Sequence, residues 1–130
     1  MARDRFIEIR KNSYGRWIVT RDDPDRPFER GSKVTWELRG GKSISAHFQF
    51  TDGDAVEDFT PGKYAITPDW TAVIAEGGKA LVLKIRRDAY LPLSKRHYAV
   101  WICDPEIQGF GGMYAVGESQ NPPPEIDLGP

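Results

Sequence analysis

Apolar residues recur at every second position through much of this chain, the period of a strand with one covered face. Lys33-Val34-Thr35-Trp36-Glu37-Leu38 sets Val34, Trp36 and Leu38 on one side. Ser45-Ala46-His47-Phe48-Gln49-Phe50 sets Ala46, Phe48 and Phe50 inward and His47 opposite. Phe6 to Arg10 and Arg16 to Thr20 are β-prone runs separated by the turn residues Asn12-Ser13-Tyr14-Gly15. Arg21 to Pro27 is polar and twice broken by proline, so it reads as a surface loop. Thr71 to Ala75 and Ala80 to Arg86 are expected to be arms of a tight hairpin about Glu76-Gly77-Gly78-Lys79. Leu81, Leu83 and Ile85 share a face of the second arm.

Tyr98 to Cys103 is apolar on both parities, which predicts a central strand covered on both sides. A loop holding Pro105, Gly109, Gly111 and Gly112 follows, then a second apolar strand from Met113 to Val116. No stretch keeps helical periodicity between caps, and no repeat of 20 to 50 residues is present. Short strands punctuated by turns predict an all-β fold, a two-sheet antiparallel Greek-key sandwich. The expected organisation is one domain over residues 1–120, followed by a Pro-rich tail over 121–130 that begins like polyproline and ends as a loose strand. Trp36, Phe48, Leu83 and Trp101 are expected in the core, while Trp17 can face either way.

Composition changes this picture little. With 39% hydrophobic and 28% charged residues in 130, the chain can bury a core, which excludes disorder throughout. Net charge is −1, with 11 basic and 7 acidic groups in residues 1–50 against 7 and 12 in residues 51–130. Strands of the two halves interleave in a sandwich, so this asymmetry predicts solvated faces, and the balance speaks against nucleic-acid binding. No apolar run reaches the ~18 residues of a membrane span, and the N-terminus has no secretory pattern. A single Cys cannot form an internal disulfide. The expectation is a soluble, cytoplasmic protein with no membrane association.

The stretch from Tyr98 through Cys103, Pro105, Gly109, Gly111 and Gly112 to Met113 resembles the copper loop of plastocyanin-type cupredoxins. Gly31-Ser32-Lys33-Val34-Thr35-Trp36 resembles that family's strand entry, and Ala46-His47-Phe48-Gln49-Phe50 its strand with the first copper histidine. The resemblance spans Phe28 to Val116 and implies a cupredoxin-like, Ig-related sandwich. It also implies His47, Cys103 and Met113 as candidate metal ligands, the set suited to copper when a second histidine completes the plane. That histidine belongs between Cys and Met, where this chain has Asp104-Pro105-Glu106-Ile107-Gln108-Gly109-Phe110-Gly111-Gly112. Glu106 stands nearest the vacant place, and His97 lies six residues before Cys103, about 20 Å along an extended strand. The expectation is therefore no cofactor, with copper at a nonstandard site as the alternative.

Other chemistry is thinner still. Asp52, Gly53, Asp54, Glu57 and Asp58 lack the EF-hand order and read as a turn rather than a calcium site. Gly109-Phe110-Gly111-Gly112 precedes a strand and lacks the Lys-Ser/Thr of a phosphate loop. Cys103 with His47 or His97 is conceivable as nucleophile and base, but any chain with one Cys and two His offers that pair; no G-x-S-x-G elbow occurs, and no enzyme activity is expected. Trp70, Tyr90 and Phe110 fall in loops, where they either cap the core or anchor a partner. The leading expectation is a non-catalytic module that binds a protein partner, with a homodimer included, Phe110 and Trp70 being the contact candidates. A carbohydrate-binding module is the further alternative.

Overall fold

Alternation sorts nearly every strand of this molecule into an inner and an outer side. The structure is a computed structural model describing residues 4–23, 26–40, 43–50, 55–88, 95–105, 112–117 and 124–127. Its strands are β1 (Arg5–Lys11), β2 (Trp17–Arg21), β3 (Lys33–Leu38), β4 (Ser45–Phe50), β5 (Val56–Asp58) and β6 (Thr71–Ile74). They continue with β7 (Ala80–Ile85), β8 (Lys95–Cys103), β9 (Gly112–Tyr114), β10 (Val116–Gly117) and β11 (Glu125–Asp127). One sheet runs β10-β2-β1-β3-β7-β5 and the other β11-β8-β4-β6, with β9 beside β8. Among the described residues no helix is long and apolar enough to cross a membrane.

The all-β, two-sheet sandwich agrees with the alternation, and its details correct it in three places. The first sheet is mixed rather than wholly antiparallel, because β1 runs parallel to β3 and β10 parallel to β2. Glu76-Gly77-Gly78-Lys79 is no hairpin: β6 pairs with β4 in the second sheet and β7 with β3 and β5 in the first. The segment carries the chain across the sandwich, with Gly77 at φ 82° making the turn. Met113 to Val116 is likewise two strands, one in each sheet, split at the buried Ala115, whose N–H donates to Val100 O at 2.8 Å. The strand expected at the end of the Pro-rich segment is Glu125–Asp127, which pairs with β8 and puts Ile126 in the core.

Trp36, Phe48 and Leu83 are buried as the alternation requires, and Trp17 proves fully buried too. Trp36 lies edge-on to Phe48, Phe50 and Tyr98, with ring centroids 5.6 to 5.9 Å apart, which ties the first sheet to the second. Its indole N–H donates to the Tyr98 hydroxyl at 3.0 Å, so neither buried polar atom is left unmatched. Burial holds that hydroxyl protonated far above the ordinary phenol range, against the smaller pull of the Trp36 N–H.

Trp101 is the exception to the expected core. It is half-buried on the outer side of β8, with Ala99 and Cys103. The strand is interior to its sheet, yet among the described residues no third layer covers that face. Apolar residues on both parities therefore overstated its burial.

Arg5 is the other departure from a simple in-and-out pattern. Only 2% exposed, it donates from Nε to Asp22 Oδ1 at 2.9 Å, from Nη1 to Arg26 O and Pro27 O, and from Nη2 to Asp23 O. Its guanidinium also lies 4.5 Å from the centroid of the buried Phe28 ring. One cation thus fastens the loop between β2 and β3 and stands paired, as a buried charge must be.

Candidate functional site

The outer faces of the two sheets differ in chemistry. On the first, Glu8 meets Arg10 at 3.1 Å and Arg39 at 3.3 Å, Arg39 meets Glu37 at 2.7 Å, and Lys84 meets Glu57 at 3.3 Å. The described outer positions of β4, β6 and β9 and of β8 from Ala99 on are Ser45, His47, Gln49, Thr71, Val73, Ala99, Trp101, Cys103, Gly112 and Tyr114. None of these is Asp, Glu, Lys or Arg. Charge returns only at the far end of β8, where His97 Nε2 lies 3.4 Å from Glu125 Oε2 on β11.

Register draws four of these side chains into a row across the strands. Val73 stands opposite His47, His47 opposite Trp101, and Trp101 opposite Tyr114. Val73 and Tyr114 are more than half exposed, at 52% and 58%. The Trp101 and Tyr114 rings meet edge to face, 4.8 Å apart at 79°. His47 Nε2 lies 3.2 Å from Ser45 Oγ. A Cβ on Gly112 would come within 2.7 Å of both Trp101 Nε1 and Ile102 O, so that glycine is what lets the indole lie against the start of β9.

The candidate ligand positions divide between the two sides of this sheet. His47 and Cys103 share the outer side, Cys103 being opposite Ser45. Met113 stands opposite Ile102, which is buried, and packs against the core. Cys103 is half-buried and thiol-bearing. Among the described residues no three His, Cys, Asp or Glu side chains gather as a metal site would require. Glu57 is engaged with Lys84, and Asp58 accepts the Ile66 N–H at 3.0 Å. Asp52, Gly53, Asp54, Tyr90, Glu106, Gln108 and Phe110 lie outside the described residues.

Trp70 is half-buried against the core, in the left-handed region at φ 63°, its carbonyl accepting the Phe50 N–H at 2.8 Å. It closes the sandwich beside β4 rather than projecting from it.

The end of the sandwich holds a residue that reads as a loop carboxylate. Asp104 is buried, and its Oδ2 accepts from Lys11 Nζ at 2.9 Å and from Trp17 Nε1 at 3.3 Å. Together they border a cleft of about 250 Å³ with Gly40, Ile44 and Pro105. Gly40 is needed there, because a Cβ would sit 2.6 Å from the Trp17 ring. The signal was present: Tyr98, Val100 and Ile102 point inward, and the same parity reaches Asp104. A family-model scan and a search of curated proteins both find no match for this chain.

Proposed function

We propose that this chain is a cupredoxin-like sandwich without a copper plane, acting as a non-catalytic module that docks a protein on the outer face of its second sheet. The occupant is in the first place a second copy of the chain. The observation that carries this reading is the row Val73, His47, Trp101 and Tyr114, set in the part of that face formed by β4, β6, β9 and the end of β8 from Ala99 on, whose described outer positions hold no Asp, Glu, Lys or Arg. Interface centres are depleted in charge and enriched in Trp and Tyr, and aromatic anchors dominate their energetics. A two-fold contact needs a patch that complements itself, and an uncharged patch meets its own copy without like-charge repulsion.

The perpendicular rings of Trp101 and Tyr114 favour a protein over a sugar, because they do not form a flat platform for stacking. The separation of Met113 from His47 and Cys103 by the sheet supports the copper-free reading. Sedimentation velocity over a concentration series tests the proposal. Reversible dimerisation is expected, weakened about tenfold or more by combined Val73→Ser and Tyr114→Ser changes. A monomer at every concentration overturns docking of a second copy. Binding to an immobilised glycan that Tyr114→Ala abolishes would replace the protein by a carbohydrate.

A further inference from the structure

Beside β6 and β7, where the chain passes between the sheets, lies a second surface feature. A cleft of about 540 Å³ is lined by Lys33, Phe59, Lys63, Ala65, Val73 and Val82 among others. Its described lining is apolar apart from Thr60 and the two lysines, and no acidic side chain belongs to it. Phe59 is 42% exposed, with Lys33 Nζ 5.5 Å from its ring centroid.

The charges around Lys33 are poorly balanced. In the pairing of β3 with β7 it stands directly opposite Lys84, and like charges in that position destabilise a sheet. Lys84 has Glu57 at 3.3 Å, whereas Lys33 has Asp4 at 3.6 Å, itself well exposed. An added carboxylate would relieve this arrangement. The rim is built rather than loose. Lys63 N–H bonds to Thr60 O at 3.1 Å, Ile66 N–H to Asp58, and Trp70 N–H to Thr67 O at 3.0 Å. Tyr64 and Trp70 hold left-handed backbone at φ 53° and 63°, an arrangement side chains disfavour, and Tyr64 is 81% exposed.

We propose that this cleft takes a short extended segment of a partner protein, an apolar side chain flanked by carboxylates. The apolar group fills the space beside Phe59, Val73 and Val82, and the carboxylates meet Lys33 and Lys63. An extended chain suits the site because β6 is the outermost described strand of its sheet. Trp70 O faces β4, so by alternation Thr71 and Val73 turn their main-chain groups to the outer edge; Thr71 is already bonded there to Thr67, whose N–H donates to Thr71 O at 2.9 Å, which leaves Val73 as the pairing position. A fatty acid shares the charge and the apolar tail but cannot pair with a strand. Nucleic acid calls for a broad basic surface without an apolar floor.

Fluorescence anisotropy with the full chain at low ionic strength tests this directly. The probe is a short fluorescein-labelled peptide alternating glutamate with leucine, beside matched lysine–leucine and glutamate–serine peptides. Only the glutamate–leucine peptide is expected to bind. Lys33→Glu or Lys63→Glu should each weaken it about tenfold, as for close charge pairs, and added salt should weaken it further. Phe59→Ala should weaken it as well, with thermal midpoints confirming that every variant is folded. Equal binding of the lysine–leucine peptide, or an unchanged affinity in both lysine variants, overturns the proposal. So does binding of decanoate in place of the peptide. Loss of the peptide through Tyr114→Ala alone would place it on the sheet face instead; because Val73 belongs to both surfaces, the titration is run at a concentration where sedimentation shows the chain to be monomeric.

Discussion

Arg5 shows how one side chain can hold a loop that the surrounding sequence leaves polar. Asp22, its carboxylate partner, is partly buried, which raises its pKa, but hydrogen bonds from Arg5 and from the Phe6 and Asp23 N–H groups prevail. The carboxyl therefore lies below its ordinary value of 3.8 in the folded protein. A carboxyl lowered on folding adds stability that is complete above its unfolded value and is lost as pH falls through the folded one. Asp22→Asn should thus lower the urea midpoint at pH 7, and the gap to the native chain should close progressively below pH 3.8. Arg5→Met removes the cation that pairs with Asp22 and bonds the Asp23, Arg26 and Pro27 carbonyls, and should cost about 3 kcal/mol at neutral pH. A native-like urea midpoint for Arg5→Met would show the loop to be fastened by other contacts. Nothing local announced this role, since a charged residue at the start of a strand looks like any solvated one.

Among the elements, β11 is the least conspicuous in sequence and is still integral to the sandwich. It contributes the buried Ile126, and the Pro124 carbonyl before it accepts the Tyr98 N–H at 3.0 Å. Ile126→Ala should cost about 2–4 kcal/mol, as for other large core aliphatics. Glu125→Gln, which removes the charge from the half-exposed pair with His97, should change stability by less than about 1 kcal/mol. Thermal melts of the two variants separate a structural strand from an ornamental tail: equal midpoints would refute the strand. The clean alternation of β3, β4 and β7 made those elements and their inner faces readable, because period two follows directly from the pleat. Which strand pairs with which was not readable. A four-residue Gly-rich segment serves equally well as a hairpin or as a passage between sheets, and residues 76–79 were the second. β5 escaped because Val56-Glu57-Asp58 offers one apolar residue and no alternation.

The whole molecule inherits a property from those passages. Only β1–β2 and β8–β9 are hairpins; after β3, β4, β5, β6, β7, β9 and β10 the chain changes sheets. Neither sheet can form from one continuous stretch, so folding waits on distant contacts and should take milliseconds to seconds. Amide exchange in the interior strands β3, β4, β7 and β8 should then report one shared opening free energy, and two well-separated values would mean that the sheets melt apart. Fold class was legible at this scale, because short alternating strands without helical period leave few architectures. The proposed docking face was not: His47, Trp101, Tyr114 and Val73 lie on four strands far apart in sequence, and only pairing brings them into a row. The unlike backs of the two sheets also limit how far assembly can go. If copies join through the uncharged row, each pair turns outward two faces on which the ion pairs of Glu8 and Glu37 with Arg10 and Arg39 surround the exposed Phe6. That charged setting holds growth at two, whereas an apolar replacement of Glu8 or Glu37 would join Phe6 in a second sticky side and open the way to stacks.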